Sequence, residues 1–422
     1  MDVVGMGAEG PVSCTAAGRR ALAAAEVIVG GARHLELIAD LGDAELVEWP
    51  SPLRAGLPAL LGEHAGRRIV AVASGDPLVA GIGSTLLDLL GPGAVRIHPA
   101  VSSVALARAR MGWAAEDVEV LRLGAPRRLE ALRRLLSPGR RILVLSADEN
   151  SPAEVAAVCW DAGLTGARLT ILGNLGAAEE FRWDTTATGV PVEEAAEVPR
   201  LNIVAIECPR GDVDVDGLTG ATHRPVSGWL APGLPDAAYE HDGQLTKRHV
   251  RAAALAALQP VPGELLWDLG AGAGSVGIEW ARLDRRNRVV AVERDPERAE
   301  RVIGNAYRLG VPDIDVACGA ALDLIGDLPD PDAVFIGGGA SAELLDACWA
   351  RLPAHGRLVV HGVTLETERL LLDRHAAFGG ELVQLAVSIA QPLGRFRGWT
   401  PARPVVQWAV TKQKATSAEA KT

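Results

Sequence analysis

Gly270, Gly272 and Gly274, with Glu293 about twenty residues further on, are the residues of this 422-residue chain whose types and spacing point most directly to chemistry. Residues 265–275 read Leu-Leu-Trp-Asp-Leu-Gly-Ala-Gly-Ala-Gly-Ser, and a second apolar run at 289–292 ends on the Glu293 carboxylate. The pattern predicts a buried strand, a glycine loop that opens a helix, and a strand tipped by an acid. Glycine allows the backbone to turn tightly and to approach a ligand with no Cβ in the way. Glu293 is placed to accept hydrogen bonds from both hydroxyls of a ribose. An adenosine-bearing ligand is expected.

The details of the loop separate two such ligands. Dinucleotide sites favour Gly-x-Gly-x-x-Gly, in which the third glycine serves helix packing beside a pyrophosphate. Here the spacing is Gly-x-Gly-x-Gly, with Ala271 and Ala273 between the glycines and Asp268 two residues ahead. S-adenosylmethionine has no phosphate; it needs a ribose partner, an adenine slot and a contact for its amino-acid end. Asp268 is the expected partner of the ammonium, directly or through water. The small residues Gly319 and Ala320, after a strand at 314–317, suit an adenine face. Asp242-Gly243-Gln244-Leu245-Thr246-Lys247-Arg248 precedes a helix. Thr246 either caps that helix or reaches over the cofactor, and Lys247 and Arg248 suit substrate carboxylates. S-adenosylmethionine is expected, and a nicotinamide dinucleotide is the alternative.

These residues need a layered scaffold, and strand-like and helix-like segments alternate along the chain, as in α/β folds. In the first half, strands are expected at 2–4, 27–29, 68–73, 95–98, 142–145, 168–172 and 202–207, with helices at 16–25, 84–90, 127–136 and 152–162. In the second half a helix is expected at 247–258 and strands at 265–269, 289–292, 314–317, 333–336, 357–360, 381–389 and 405–411. Residues 209–232, rich in Pro, Gly and Asp without periodicity, read as an interdomain connection. Domains are therefore expected at 1–208 and 233–412, with a frayed tail at 413–422.

A net charge of −11 argues against a broad nucleic-acid or anionic-membrane surface, because such partners are held at basic patches. The cysteines at 14, 159, 208, 318 and 348 are scattered, without a Cys-x-x-Cys pair, and read as free thiols of a reducing cytosol. No basic leader or membrane-length apolar run is evident, so a cytoplasmic chain is expected. No metal-ligand spacing appears among the histidines.

Residues 233–236 (Gly-Leu-Pro-Asp), 244–248, 267–277, Val292-Glu293-Arg294-Asp295-Pro296, 333–338 and Val363-Thr364-Leu365-Glu366-Thr367 together resemble the precorrin decarboxylating methyltransferase family of cobalamin biosynthesis. The resemblance spans nearly all of 233–411. It implies a Rossmann-like, seven-stranded methyltransferase domain whose last strand runs antiparallel, methylation of a meso carbon of a corrinoid precursor, and loss of carbon dioxide from an acetate side chain. His361-Gly362 stands where the family commonly has Asn-Ala.

In the first half, Gly5-Met6-Gly7-Ala8-Glu9-Gly10 nominally fits a dinucleotide fingerprint, but the next strand ends in Gly30-Gly31-Ala32 with no acid for a ribose. Ala73-Ser74-Gly75-Asp76-Pro77, then Gly81-Ile82-Gly83-Ser84-Thr85, then Pro99-Ala100-Val101-Ser102-Ser103, in that order, resemble the tetrapyrrole methylase family. Residues 173–176 and 201–204 fit the same pattern, and residues 30–35 (Gly-Gly-Ala-Arg-His-Leu) are similar to its precorrin branch acting at a second meso carbon. This resemblance covers roughly residues 2–207. It implies two α/β lobes around a second S-adenosylmethionine, held by the loops at Gly75-Asp76 and Ser102-Ser103, with the 5–10 loop facing the tetrapyrrole.

The combined resemblance implies a tetrapyrrole of the precorrin series as the small-molecule partner, neither nucleic acid nor membrane, and a homo-oligomer. Methyl transfer from a sulfonium to a nucleophilic meso carbon needs alignment and exclusion of water more than an acid or a metal, so no catalytic residue is named. A polycarboxylate substrate calls for basic residues in the pockets, and Arg33, Arg182, Lys247, Arg248, Arg395 and Arg397 are the candidates. An RNA methyltransferase stays open as an alternative, since related folds modify nucleotides.

Overall fold

The structure is a computed structural model and describes residues 1–124, 129–190, 198–209 and 231–414. It divides into two compact units, Met1–Leu129 with Pro138–Asp214, and Glu130–Ser137 with Val215–Thr422. The short stretch Glu130–Ser137 thus groups with the second unit rather than with the expected first domain. Most of the expected connection at 209–232 and of the tail at 413–422 lies outside the described residues, as does the start of the helix expected at 127–136.

The first unit has two sheets. Strands β1 (Asp2–Met6), β2 (Val27–Gly30), β3 (Glu45–Glu48), β4 (Ile69–Ser74) and β5 (Arg96–His98) form a wholly parallel sheet in the order β3-β2-β4-β1-β5. Helices α1 (Ala16–Ala24), α2 (Ala32–Glu36), α3 (Leu53–Glu63) and α4 (Ile82–Leu90) connect its strands. A parallel sheet is covered on both faces, and β1, β2 and β4 are accordingly near-continuous apolar runs. After α5 (Ser103–Met111) comes a mixed sheet, β6-β7-β10-β8-β9, made of β6 (Val118–Arg122), β7 (Arg141–Leu145), β8 (Arg168–Gly173), β9 (Phe181–Thr186) and β10 (Asn202–Glu207). Helices α6 (Glu130–Arg133) and α7 (Ser151–Asp161) lie between its strands in sequence.

The second unit is built on one seven-stranded sheet. After α8 (Arg248–Leu258) come β11 (Leu265–Leu269), α9 (Ser275–Leu283), β12 (Arg288–Glu293), α10 (Pro296–Arg308), β13 (Asp315–Cys318) and α11 (Ala321–Leu324). Then follow β14 (Ala333–Ile336), α12 (Ala342–Arg351), β15 (Arg357–Gly362), α13 (Leu365–Phe378), β16 (Glu381–Leu385), β17 (Ser388–Leu393), β18 (Phe396–Pro401) and β19 (Val405–Thr411). The order is β13-β12-β11-β14-β15-β19-β16, and β19 runs antiparallel to both neighbours. Buried Trp267, Trp280 and Phe335 anchor the layers packed on either face.

One expected strand, 381–389, is two elements. β16 joins the main sheet, whereas β17 pairs only with β18 as an exposed hairpin closed by Gly394 at φ +58°. No Gly or Pro breaks residues 381–389, but the chain leaves the sheet after Leu385. No helix among the described residues is long and apolar enough to cross a membrane.

Candidate functional site

In the second unit the chain winds outward from β11 to β12 and β13, then returns to β14 and β15. Such a reversal leaves a crevice at the carboxyl ends of the strands. A cleft of about 1010 Å³ lies there. Its walls include Gly270, Ala271 and Gly272 after β11, Glu293 at the end of β12, and Gly319 and Ala320 after β13. Thr246, Lys247 and Arg248 line it from the start of α8.

Two glycines make the cradle possible. Gly270 has φ +71°, and a Cβ there would stand 2.8 Å from the Gly338 carbonyl oxygen in the loop after β14. Gly272 has φ +60°, and its N–H donates to Glu293 Oε2 at 2.8 Å. The other carboxylate oxygen of Glu293, Oε1, accepts the Asp295 N–H at 3.0 Å. These two bonds fix the carboxylate, and each oxygen keeps a lone pair for a ribose hydroxyl. The donor set fits the nucleoside half of S-adenosylmethionine, with close backbone, a buried carboxylate and no cation for a phosphate within the glycine loop itself.

Three residues of the expected cofactor set do not face this cleft. Asp268 is 1% exposed, and its Oδ2 accepts the Gly277 N–H at 2.9 Å, tying β11 to the first turn of α9. Ala273 is buried, and its carbonyl accepts a hydrogen bond from Asn305 Nδ2. Gly274 turns the chain into α9 at φ +74°, against Val302. Within the loop the wall residues come first and Ala273 and Gly274 follow, because the turn into the helix carries the loop's second half behind its first.

Burial raises the Asp268 pKa to about 7, the Gly277 N–H opposes the rise, and the Glu293 charge adds to it. The folded state therefore binds this proton more tightly than the unfolded chain does. The stability contribution is full below the unfolded value of about 3.9 and is lost as pH rises through 7. Asp268→Asn keeps an acceptor for Gly277 and removes the charge. Calorimetric unfolding should show the variant gaining about 3 °C or more on the native chain at pH 8 relative to pH 5; an equal shift at both pH values contradicts the assignment.

Thr246 does not cap α8, since Lys247 occupies the N-cap position without a side-chain bond. What holds this segment is Arg251, which is fully buried. Its Nε donates to Glu279 Oε1 at 2.5 Å, Nη1 donates to the Thr246 carbonyl, and Nη2 donates to the Leu234 carbonyl. Glu279 also accepts the Leu234 N–H at 3.0 Å and the Tyr239 hydroxyl at 2.9 Å. A buried pair broken on one side leaves an uncompensated charge, so Arg251→Met should destabilise the second unit by about 3–5 kcal/mol. The double change Arg251→Met/Glu279→Leu should recover part of that loss in denaturant unfolding. Additive losses would contradict the coupling.

The cleft also contains residues outside the expected cofactor and substrate set. His361 lies in its wall; its Nε2 donates to Gln407 Oε1 at 2.9 Å, and burial lowers its pKa to about 4, so the ring is neutral. Arg298 and Arg403 line it too, with Arg298 Nε bonded to Asp242 Oδ2 at 2.8 Å. The departure of His361-Gly362 from the family pattern was the available signal for the first; nothing in the sequence marks Arg403.

In the first unit, the three expected loops meet at the carboxyl ends of β4, β1 and β5. The Gly75 N–H donates to the Met6 carbonyl at 2.8 Å, and the Ala100 N–H to the Gly75 carbonyl at 3.0 Å. Gly75, at φ +53°, packs against the backbone of Val101 and Ser102. Asp76 Oδ1 accepts the Leu78 N–H within its own turn, and Ser102 Oγ caps α5 by accepting the Ala105 N–H. Ser103 is the first residue of that helix. In the 5–10 loop, the Gly7 N–H donates to Ser13 Oγ at 2.7 Å.

The basic candidates divide. Lys247 and Arg248 face the cleft. Arg33 lies beside Ser74 at the end of β4. Arg182 is on the edge strand β9, in an ion pair with Asp184 through Nε at 2.9 Å and Nη2 at 3.0 Å. Arg395 and Arg397 belong to the exposed β17–β18 hairpin, and Arg395 stacks over Phe396 at 5.0 Å.

Known proteins align with both units. Residues 3–191 match the tetrapyrrole (corrin/porphyrin) methylases, and residues 237–412 match the precorrin methyltransferase domain. The precorrin-6Y C(5,15)-methyltransferase (decarboxylating) of a Sinorhizobium species is 40% identical over 419 residues, covering 98% of this chain and 96% of that protein. Its counterpart in Mycobacterium tuberculosis (strain CDC 1551 / Oshkosh) is 40% identical over 413 residues, covering 97% of this chain and 99% of its own length. The solved C-terminal domain of precorrin-6Y C5,15-methyltransferase from Rhodobacter capsulatus is 44% identical, covers 44% of this chain and 100% of that domain, and has a TM-score of 0.42. Neither a nicotinamide oxidoreductase nor an RNA methyltransferase accounts for identity sustained along the whole chain. Two S-adenosylmethionine-type methylase domains in this order, matched end to end by relatives of the same organisation, mean that the chain belongs to the precorrin-6Y C5,15-methyltransferase (decarboxylating) family.

Proposed function

We propose that the chain methylates precorrin-6Y at two meso carbons and releases carbon dioxide from one acetate side chain, giving precorrin-8 in cobalamin biosynthesis. The unit matched over 3–191 acts at C5, the unit matched over 237–412 acts at C15 with decarboxylation, and each holds one S-adenosylmethionine. The observation that carries the reading is the full-length identity with enzymes of this name, joined to a glycine cradle beside a fixed carboxylate in the second unit.

S-adenosylmethionine, when bound, supplies a methyl group on a sulfonium as the electrophile. In the second unit Glu293 accepts the ribose hydroxyls, and the backbone at Gly270 and Gly272 allows the nucleoside to lie close. Thr246 lies on the wall formed by the start of α8, while Lys247 and Arg248 offer positive charge to the macrocycle's carboxylates. Alignment of the meso carbon with the methyl, in a cleft that excludes water, provides most of the acceleration. In the decarboxylation the bond from the side-chain carbon to the carboxyl carbon breaks, its electron pair enters the conjugated ring, which serves as the sink, and the side-chain carbon then takes up a proton from solvent and becomes a methyl group. The chain's part is to orient that acetate.

The test supplies the full-length protein with precorrin-6Y and S-adenosylmethionine labelled in the methyl group. Two labelled methyls and one carbon dioxide per macrocycle are expected. One methyl with no carbon dioxide, or none at all, overturns the reading.

A further inference from the structure

At the rim of the first unit's parallel sheet, three side chains converge just before Gly75. Arg33 Nη2 stands 3.0 Å from Ser74 Oγ and 3.2 Å from His34 Nε2, and that imidazole nitrogen is 2.9 Å from the same hydroxyl. A guanidinium can only donate. The His34 Nε2 facing it is therefore an acceptor, and the ring proton sits on Nδ1. Burial, and then the charge of Arg33, lowers the His34 pKa to about 4, so the ring adds no second cation.

Arg33 is half-buried, and burial alone lowers its pKa. Among the described residues no carboxylate pairs with it, and its hydrogen bonds there use Nη2 alone. The donors on Nε and Nη1 have no partner among those bonds. A half-buried guanidinium held by neutral acceptors, with donors to spare, has the chemistry of an anion receptor, and its planar fork suits a carboxylate. Its position supports the same use. Ser74 immediately precedes Gly75, in one of the two loops where the cofactor of this unit is expected, and Gly75 packs on Ser102 in the other and on Gly5, at the start of the loop expected to face the tetrapyrrole.

We infer that Arg33, oriented by His34 and joined by the Ser74 hydroxyl, forms a carboxylate-binding site that positions a reactant for methyl transfer in the first unit. The inference rests on the proposed assignment of C5 methylation to that unit. The carboxylate has two possible sources, a side chain of the macrocycle or the methionyl end of S-adenosylmethionine. His34 is a positioning residue, whereas Arg33 and Ser74 touch the reactant.

The experiment uses the full-length protein and reads C5 methylation by mass spectrometry, carbon dioxide release from the second unit, and calorimetric binding of S-adenosylhomocysteine. Arg33→Gln should raise one reactant's KM for C5 methylation about 20-fold or more, with kcat within about threefold and carbon dioxide release at the native rate. If the macrocycle's KM rises while S-adenosylhomocysteine binds normally, the carboxylate is the macrocycle's. If instead S-adenosylhomocysteine loses at least tenfold in affinity at one of its sites, the carboxylate is methionyl. Arg33→Lys should recover part of the loss, which a purely structural arginine would not predict. Ser74→Ala, which removes one hydroxyl from an exposed position, should shift the same KM about fivefold and serves if Arg33→Gln does not fold. Unchanged KM values and unchanged binding overturn the site. A native protein that never methylates C5 overturns the assignment of the first unit instead.

Discussion

Replacing Glu293 by Gln is expected to raise the KM for S-adenosylmethionine in C15 methylation about 100-fold, while C5 methylation continues at the native rate. The carboxylate serves two purposes at once. It accepts the Gly272 N–H at 2.8 Å and the Asp295 N–H at 3.0 Å, which fixes the cradle, and it offers its remaining lone pairs to the ribose. Gln retains one carbonyl oxygen but turns the other position into a donor, which then faces a backbone N–H. Hydrogen bonds to a charged acceptor are worth about 1.5–3 kcal/mol each, so losing the ribose contacts yields roughly two decades in affinity. The two activities share one chain, so C5 methylation is an internal control for concentration and folding. Carbon dioxide release should fall together with C15 methylation. A KM within threefold of the native value would mean that Glu293 holds only the loop.

The counterpart in the first unit is Gly5→Ala. A Cβ at Gly5 would lie 1.8 Å from the Gly75 carbonyl oxygen and 2.9 Å from the Ala100 nitrogen. Both obstacles are backbone, set in the loops after the two neighbouring strands, and neither has a flexible end to swing aside. The loops must separate, with the loss of the bonds from Gly75 to Met6 and from Ala100 to Gly75. The expected cost is about 3 kcal/mol from overpacking. C5 methylation should fall more than 100-fold, because loops displaced by an ångström no longer align the reactants. Carbon dioxide release should stay at the native rate. Near-native C5 methylation would show that these three loops do not build the reacting geometry.

Much of the fold was legible before any coordinates. The strands at 265–269, 333–336, 405–411 and 202–207 stand where they were expected, because buried strands read as near-continuous apolar runs, and isolated polar residues such as Asp268 and Gln407 do not hide that signal. Elements whose pattern is diluted by exposure were missed. β3 is a mostly exposed edge strand, and α5 carries two arginines and no clear apolar stripe. In α3, Pro58 breaks the helical signature, although the helix continues through it. β9 alternates regularly between half-buried and exposed residues, yet its short, polar Phe-Arg-Trp-Asp-Thr-Thr run resembles a loop.

At the sites, residue types and spacing alone determined that a glycine turn precedes an acid-tipped strand, and hence where a nucleoside can lie. Backbone constraints of this kind are local, so they are written into consecutive residues. Which side chains of the loop face the ligand was decided only by the tertiary structure. Asp268 and Glu293 are both acids at strand ends, but one is sealed behind the turn into α9 and the other opens onto the cleft. Arg182 and Arg33 were equal candidates in sequence, and only packing gave one an aspartate partner and the other a histidine and a serine. Asp184 and His34 are near neighbours of their arginines in sequence, but Ser74 reaches Arg33 only because β4 lies beside β2, and a linear chain specifies that only once it has folded.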